Sequence, residues 1–321
     1  MSEYESVHQK ILSWYECNGR KDLPWRTLKE EIPYRVYISE IMLQQTQVKT
    51  ALPYFYRFIQ RFPDLESLSQ VGEDEVLLYW QGLGYYSRAK NILKTAQICA
   101  QKYQGKLPDD FDRLLKLPGI GEYTAGAILC FGFKKSCSFW DGNIRRLLCR
   151  FFGIKISNKK ILDDRAKSFL NTQNSYDHNQ ALLDLGALVC VPKNASCHLC
   201  PLQDFCQGKD NPAIYDQRQK MVYEDLALHF GIYINQDKIA MLRDSKSHSL
   251  FGFPEIAPTD QKSFLQLKHS RTKYRIRAYL YHIEKQPSFT QMIPLDQTHC
   301  YPMSALSLKI LKKIQQDTSL T

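Results

Sequence analysis

Four cysteines, Cys190, Cys197, Cys200 and Cys206, are spaced Cys-x6-Cys-x2-Cys-x5-Cys. Four thiolates in so short a span can fold round one metal centre, and the spacing alone leaves zinc and an iron–sulfur cluster both open. Cys17, Cys99, Cys130, Cys137, Cys149 and Cys300 have no such spacing and read as thiols, mostly buried. Glu40 is a different kind of candidate. Its helical neighbours at i−4, i−3 and i+3 are Val36, Tyr37 and Leu43, so a helix through it sets the carboxyl in apolar surroundings. If that face lines a pocket, desolvation raises its pKa and keeps it available as an acid; if not, it is a boundary glutamate in water. Asp141, in FWDGN, reads either as the N-cap of the helix that follows or as the second carboxylate that cleavage of a glycosidic bond needs.

LPGIGEYTAGAI, at 117–128, places Gly119 and Gly121 in a tight turn that opens into a helix near Glu122. The first N–H groups of such a helix have no intrahelical acceptor and lie at its positive end. The turn is therefore either a small anion site suited to a backbone phosphate or a plain αα-hairpin. In GLGYYSRA, Tyr85 and Tyr86 sit at a glycine turn flanked by Arg88 and Lys90, as packing aromatics or as a wedge for a base stack.

The elements that must position these residues are mostly helical. Residues 4–16 place Val7, Ile11 and Trp14 at helical spacing; LPWRTLKEEIPYR is an extended connector carrying Arg26. From Ile38 to Ile59 apolar residues recur every three or four positions, through two helices with a break near Thr46 or Pro53. Residues 111–131 read as helix, hairpin, helix, and a helix after Asp141 buries Ile144, Leu147, Leu148, Phe151 and Phe152. Beyond Cys206, QGKDNPAIYDQRQK is polar and irregular. VYEDLALHFGIYI, KIAMLRD and TKYRIRAYLYHI then read as strands, and MSALSLKILKKIQQ closes as an amphipathic helix.

The motifs occur in an order that resembles the adenine DNA glycosylase (MutY) family of the helix-hairpin-helix base-excision superfamily. The matching stretches are LPWR at 23–26, SEIMLQQTQV at 39–48, GLGYYSRA at 82–89, LPGIGEYTAGAI, DGNIRR at 141–146, LDLGA at 183–187 and the cysteine loop at 190–206. The fold class implied is mainly α: a glycosylase with a four-cysteine iron–sulfur loop, plus a small C-terminal α+β MutT-like domain. Its expected boundaries are 1–210 for the helical region, 211–222 for a linker and 223–321 for a MutT-like domain that recognises 8-oxoguanine. Within the helical region a six-helix barrel covers about 27–137, and 1–26 with 138–210 form the cluster subdomain. The resemblance implies a [4Fe-4S] cluster on the four cysteines, and double-stranded DNA with an A:8-oxoguanine or A:G mispair as partner of a monomer. By resemblance Glu40 protonates the adenine, Asp141 stabilises the positive sugar, Asn143 orients that acid and Arg26 lines the pocket. Gln44, Gln45 and Tyr85 lie in the segments that fill or wedge the gap left by the flipped base.

Tyr123 stands where the related endonuclease III type carries a lysine that forms a Schiff base, so a monofunctional enzyme is expected rather than a pyrimidine glycosylase/lyase. A non-catalytic DNA-binding protein with a structural cluster is the other alternative, and the presence of both carboxylates in matching motifs argues against it. The C-terminal part departs from the family. SLFGFPEI at 249–256 resembles its MutT-like domain, but the hydrolase signature is absent. The loop that usually reads Phe-Ser-His has Arg271, Thr272 and Lys273, leaving Thr272 and Lys273 as candidate DNA contacts. Bulk properties agree with a polyanionic partner: net charge is +10, with 43 Lys+Arg against 33 Asp+Glu. No secretory or membrane-spanning stretch is visible, so a soluble cytoplasmic protein, nucleoid-associated if bacterial, is expected.

Overall fold

Helix signals dominate the first two thirds of the chain, and the computed structural model, which describes residues 4–27, 32–155, 158–215, 221–244 and 250–316, is helical there. Residues 28–31 of the expected connector, 216–220 of the expected linker and Ser249 lie outside the described residues. In chain order the helices are α1 (Glu5–Asn18), α2 (Ile32–Leu43), α3 (Val48–Arg61), α4 (Leu65–Ser69), α5 (Glu73–Trp80) and α6 (Ser87–Lys102). They continue as α7 (Phe111–Leu115), α8 (Glu122–Ala127), α9 (Gly142–Phe151), α10 (Lys159–Ser168) and α11 (Ser175–Leu188). A π-helical turn, Ile128–Gly132, extends α8.

Of the two breaks the apolar spacing allows, the chain uses the earlier. Residues 44–47 form a turn, with Gln45 in the left-handed region at φ 56°, and Pro53 is accommodated inside α3. Proline near a helix start lacks only an N–H that has no intrahelical partner, or one early in the ladder. Between α7 and α8 the Leu117-Pro118-Gly119-Ile120 turn closes through Ile120 N to Leu117 O at 3.2 Å, with Gly119 at φ 79°. Proline followed by a positive-φ glycine is the pairing a type II turn requires.

Two compact units are formed. The first comprises Met1–Ala51, Phe62–Ser69 and Lys94–Gln219, and the second Leu52–Arg61, Gln70–Leu93 and Lys220–Thr321. The first has a core of Val7, Ile11 and Tyr15 from α1 with Ile144, Leu147 and Leu148 from α9 and Ala181, Leu182 and Leu185 from α11. This packing sets α9 beside α11, so that Asp141, Gly142 and Asn143 at the start of α9 line one cavity with Gln180, Leu183 and Ala187 of α11.

Among the described residues the second unit has the strands β1 (Glu224–Ile232), β2 (Ile234–Asn235), β3 (Lys238–Asp244), β4 (Leu250–Gly252), β5 (Leu265–Arg271), β6 (Tyr274–His282) and β7 (Gln291–Pro294), and then α12 (Ala305–Gln316). One sheet runs β1-β6-β5, with β1 parallel and β5 antiparallel to β6; the other runs β2-β3-β4 with β7 also on β3. Ile276, Ala278 and Leu280 are the alternate buried positions of β6, and Ala278 and Leu280 share a cluster with Phe230, Leu267 and α12 residues Ile310, Leu311 and Ile314. The strands and closing helix expected from the sequence are all present. No helix among the described residues is long and apolar enough to cross a membrane.

Candidate active site

A cavity of about 830 Å³ in the first unit is lined by Arg26, Glu40, Gln44, Gln45, Tyr123, Asp141 and Asn143, among others. Residues far apart in sequence are thus brought to one place by α2, α8 and α9. Glu40 lies near the end of α2 and is only 7 % exposed. Tyr123, second residue of α8, donates its hydroxyl to Glu40 Oε2 at 2.8 Å and packs edge-on against Phe139. Burial pushes the Glu40 carboxyl up to about 7; the Tyr123 hydrogen bond opposes this, the negative charge of Asp141 adds to it, and Arg26 counters it. A carboxyl raised this far can hold a proton near neutral pH.

Asp141 both caps α9 and lines the cavity. Its Oδ1 caps α9 by accepting the Asn143 and Ile144 N–H groups, both at 2.8 Å, while the carboxylate faces the cavity. Its Oδ2 accepts the Asn143 side-chain amide at 3.0 Å. Burial raises the Asp141 pKa, and these donors with the nearby Arg146 charge oppose the rise. Arg146, wholly buried, fixes Asn143 in turn: its Nη2 donates to Asn143 Oδ1 at 3.0 Å and to Gly186 O at 2.5 Å, and its Nε donates to Cys190 O at 2.6 Å. The backbone of α11 can come this close because residue 186 is glycine; a Cβ there would stand 2.7 Å from Asn143 Cβ.

Arg26 is anchored by Asp184 on α11. That carboxylate, wholly buried, accepts Arg26 Nη1 and Nη2 at 2.8 and 2.9 Å, and Arg20 N, Nε and Nη2 at 2.9, 2.8 and 2.5 Å. Burial alone would raise its pKa, but the two guanidinium groups hold it below the usual carboxylate value. Arg26 Nε is buried with no protein partner among the described residues. Sequence reasoning gave no role to Arg20, Asp184 or Arg146. The available signal was an aspartate inside the apolar stretch ALLDLGALVC, since an unpaired charge on such a helix is costly and calls for a cationic partner.

Gly119 and Gly121 do not line the cavity; they form the α7–α8 turn, with Gly121 extended as the N-cap of α8. Tyr85, Thr272 and Lys273 belong to the second unit. Tyr85 is 44 % exposed at φ 49°, and Thr272 has φ 50° in the two-residue turn between β5 and β6. Lys273 pairs with Glu224 at 2.6 Å.

Cys190, Cys197, Cys200 and Cys206 ring a second cavity, of about 30 Å³, floored by Leu147, Phe151 and Leu202. Arg150, 2 % exposed, donates to Cys190 Sγ at 3.3 Å and to Val191 O at 2.8 Å, so a fixed cation faces the ring of sulfurs. No group of three or more His, Cys, Asp or Glu among the described residues is disposed to hold a single metal ion. A cluster that gives each thiolate its own iron requires sulfurs further apart than the about 3.8 Å of a one-zinc tetrahedron. Four thiolates, an apolar floor and a facing guanidinium fit such a group.

Residues 38–171 match the model of the HhH-GPD superfamily base excision DNA repair protein. The chain is similar to the adenine DNA glycosylase of Buchnera aphidicola subsp. Baizongia pistaciae, 43 % identical over 279 residues covering 83 % of this chain and 78 % of that one. It is 49 % identical over 203 residues to that of Buchnera aphidicola subsp. Schizaphis graminum, covering 62 % of this chain and 58 % of the relative. With the human adenine DNA glycosylase it shares 35 % identity over 221 residues, 65 % of this chain but 40 % of the relative. Among solved structures it resembles a thermostable thymine-DNA glycosylase, with a TM-score of 0.60 and 26 % identity over 64 % of this chain and 96 % of that one. An endonuclease III–DNA complex shares the fold at a TM-score of 0.57 and 18 % identity, over 65 % of this chain and 95 % of that one.

Proposed function

The chain belongs to the adenine DNA glycosylase family of the HhH-GPD superfamily, and from this we propose that it hydrolyses the N-glycosidic bond of adenine mispaired with 8-oxoguanine or guanine in duplex DNA. It is a base-excision DNA glycosylase, hence a hydrolase, and its partner is DNA. The observation that carries the finer reading is a buried glutamate poised near neutrality in the same cavity as a second, capped carboxylate.

The two carboxylates answer the two charges that the reaction develops. Breaking C1′–N9 sends the bonding pair to adenine and leaves the sugar positive. Glu40, protonated, gives its proton to N7 of the departing base, so the base leaves neutral. Asp141, ionised and held by three donors, faces the oxocarbenium-like C1′ until water adds there, its proton passing to the Glu40 carboxylate, and an abasic sugar remains. Asn143 keeps Asp141 oriented, and Tyr123 keeps Glu40 Oε2 engaged so that Oε1 faces the base. Arg26, held by Asp184, lines the pocket wall that the base faces. Because a stacked base hides its glycosidic bond, adenine must swing out of the duplex, and Gln44, Gln45 and Tyr85 fill the gap behind it. Tyr123 offers no amine, so the product is an abasic site rather than a cut strand.

Cys190, Cys197, Cys200 and Cys206 hold a [4Fe-4S] cluster, which when bound supplies a rigid core for the loop. Residues 1–210 carry the chemistry, as a barrel at about 27–137 with a cluster subdomain, 211–222 link, and 223–321 form a MutT-like domain in which Thr272 and Lys273 contact the DNA. The protein acts as a monomer, its hairpin at Gly119 and Gly121 holding a phosphate. A single-turnover assay on duplexes with adenine opposite 8-oxoguanine, guanine and cytosine tests the reading. Excision is expected in that order of rate, and absence of adenine release from all three sinks it.

A further inference from the structure

The turn at residues 81–86, which carries the exposed Tyr85, is tied at two points to a single residue near the end of the chain, Met303. The Gln81 side-chain oxygen accepts the Met303 N–H at 2.7 Å, and the Tyr86 hydroxyl donates to Met303 O at 2.8 Å. The same hydroxyl accepts Gly82 N–H at 3.3 Å, so one oxygen bridges the start of the turn and the Met303 carbonyl. Met303 is wholly buried and is itself bridged to Phe251 of β4, whose N–H donates to Pro302 O at 2.7 Å. Both peptide groups of this residue are therefore used to grip the turn, from a segment anchored in the sheet.

The turn being gripped is one that would not hold its shape unaided. Gly82 and Gly84 have φ 106° and 73°, and between glycine and helix Tyr85 takes φ 49°, a conformation that a bulky side chain seldom adopts unless its surroundings impose it. From within, Trp80 Nε1 donates to Gly84 O at 3.1 Å, and Arg88 donates to Leu83 O and Gly84 O at 3.3 and 3.2 Å while covering the Tyr85 ring at 5.5 Å. From outside, the grip is Gln81 and Tyr86 on Met303. We propose that Gln81 and Tyr86 are positioning residues through which the segment around Met303 sets the presentation of Tyr85 to the DNA base stack. This rests on the reading of Tyr85 as a wedge. A strained residue is kept for insertion when the structure on both sides over-determines it, and a stiff wedge places the flipped base better than a mobile one.

The test uses the full-length holoprotein and two substrates: a duplex with adenine paired opposite 8-oxoguanine, and one with the adenine in an unpaired bulge that needs no wedge. Tyr86→Phe keeps the ring and removes only the bridging oxygen; Gln81→Leu removes the acceptor, whereas Gln81→Glu retains it. Tyr86→Phe and Gln81→Leu are expected to slow single-turnover excision from the paired duplex roughly tenfold to a hundredfold, to leave the bulged substrate within about twofold, and to reduce the fluorescence rise of a 2-aminopurine placed beside 8-oxoguanine. Gln81→Glu should restore the parent's values. Equal losses on both substrates mark a merely structural role and overturn the inference, as does parent-like behaviour of both variants. If Tyr86→Phe does not fold, the comparison of Gln81→Leu with Gln81→Glu decides alone. A parent that releases no adenine from the paired duplex overturns the glycosylase reading itself, and the inference with it.

Discussion

The proposed chemistry needs Glu40 to be an acid at the pH at which DNA is repaired, and burial rather than a neighbouring charge alone is what raises its carboxyl. Its carboxyl rises from 4.5 to about 7 chiefly because it is desolvated. Excision is therefore expected to fall as pH rises through about 7, where the proton is lost, and to fall again in acid, where Asp141 ceases to be an anion; a pH profile of single-turnover rates checks both limbs. The same shift makes a stability statement. A folded-state pKa above the unfolded value means stability that is full below about 4.5 and lost as pH climbs through about 7, because the folded state binds the proton more tightly. Glu40→Gln cannot ionise, so it should equal the parent in stability near pH 4.5 and exceed it by on the order of 3 kcal/mol at most above pH 8. It should also bind the mispaired duplex like the parent while excision drops at least a hundredfold. Thermal melts at the two pH values and a rate measurement decide; parent-like excision by Glu40→Gln removes the glutamate from the chemistry. The odd carboxylate on an apolar helix face was legible in the sequence because helical neighbours are fixed by the 3.6-residue repeat. Asp184 was not read as an anchor, because its partners Arg20 and Arg26 lie more than 150 residues away and no local pattern pairs them.

At the scale of elements, α9 serves the site at both ends. Its N-terminal cap is Asp141, and one turn on, Arg146 reaches back to Asn143 and across to the Cys190 carbonyl. A second turn on, Arg150 faces the cysteine ring. The i, i+4 spacing of the two arginines puts them on one helix face, so the cysteine loop and the Asp141 cap are aligned by a single rigid element. Around this face the loop itself has little regular structure, only two short 3-10 turns at Cys197–Leu199 and Gln203–Phe205, and Leu202 as its one wholly enclosed apolar anchor. On the proposed reading such a loop would depend on the cluster its four cysteines hold. Purified protein is expected to be yellow-brown with about four irons per chain, and stripping the iron should lower the melting temperature and slow excision together, since the loop also supplies an acceptor to Arg146. Stoichiometric zinc without iron in anaerobically prepared protein would overturn the cluster. The cysteine spacing was the sharpest local signal in the sequence. What spacing could not convey was the link to Asp141, which exists only once α9 and α11 pack with Gly186 between them.

Across the whole molecule, the second unit draws residues 52–61 and 70–93 together with the strands, so the chain's late segments share a compact body with part of its early helices. Apolar periodicity marks helices and strands correctly but carries no information on which of them pack together, and this grouping was not legible. The β5–β6 turn in that unit has a geometry that gives a specific expectation. Thr272 is β-branched, yet it sits at φ 50° in the first position of a two-residue hairpin turn, a place that favours glycine. If the turn only joined two strands, Thr272→Gly would relieve the strain at no functional cost. If the hydroxyl reads the altered edge of 8-oxoguanine, the strain is retained for function, and relief and loss should appear together. Thr272→Gly is therefore expected to raise the melting temperature by about 2 °C while lowering the ratio of excision rates opposite 8-oxoguanine and guanine severalfold. Thr272→Ala, which removes the hydroxyl but keeps a Cβ at positive φ, should lower the ratio equally without the gain in stability, and Thr272→Ser should keep it. Measured as paired single-turnover rates on the two duplexes, an unchanged ratio in both Thr272→Gly and Thr272→Ala would leave the turn as a hairpin and move lesion reading elsewhere in the second unit.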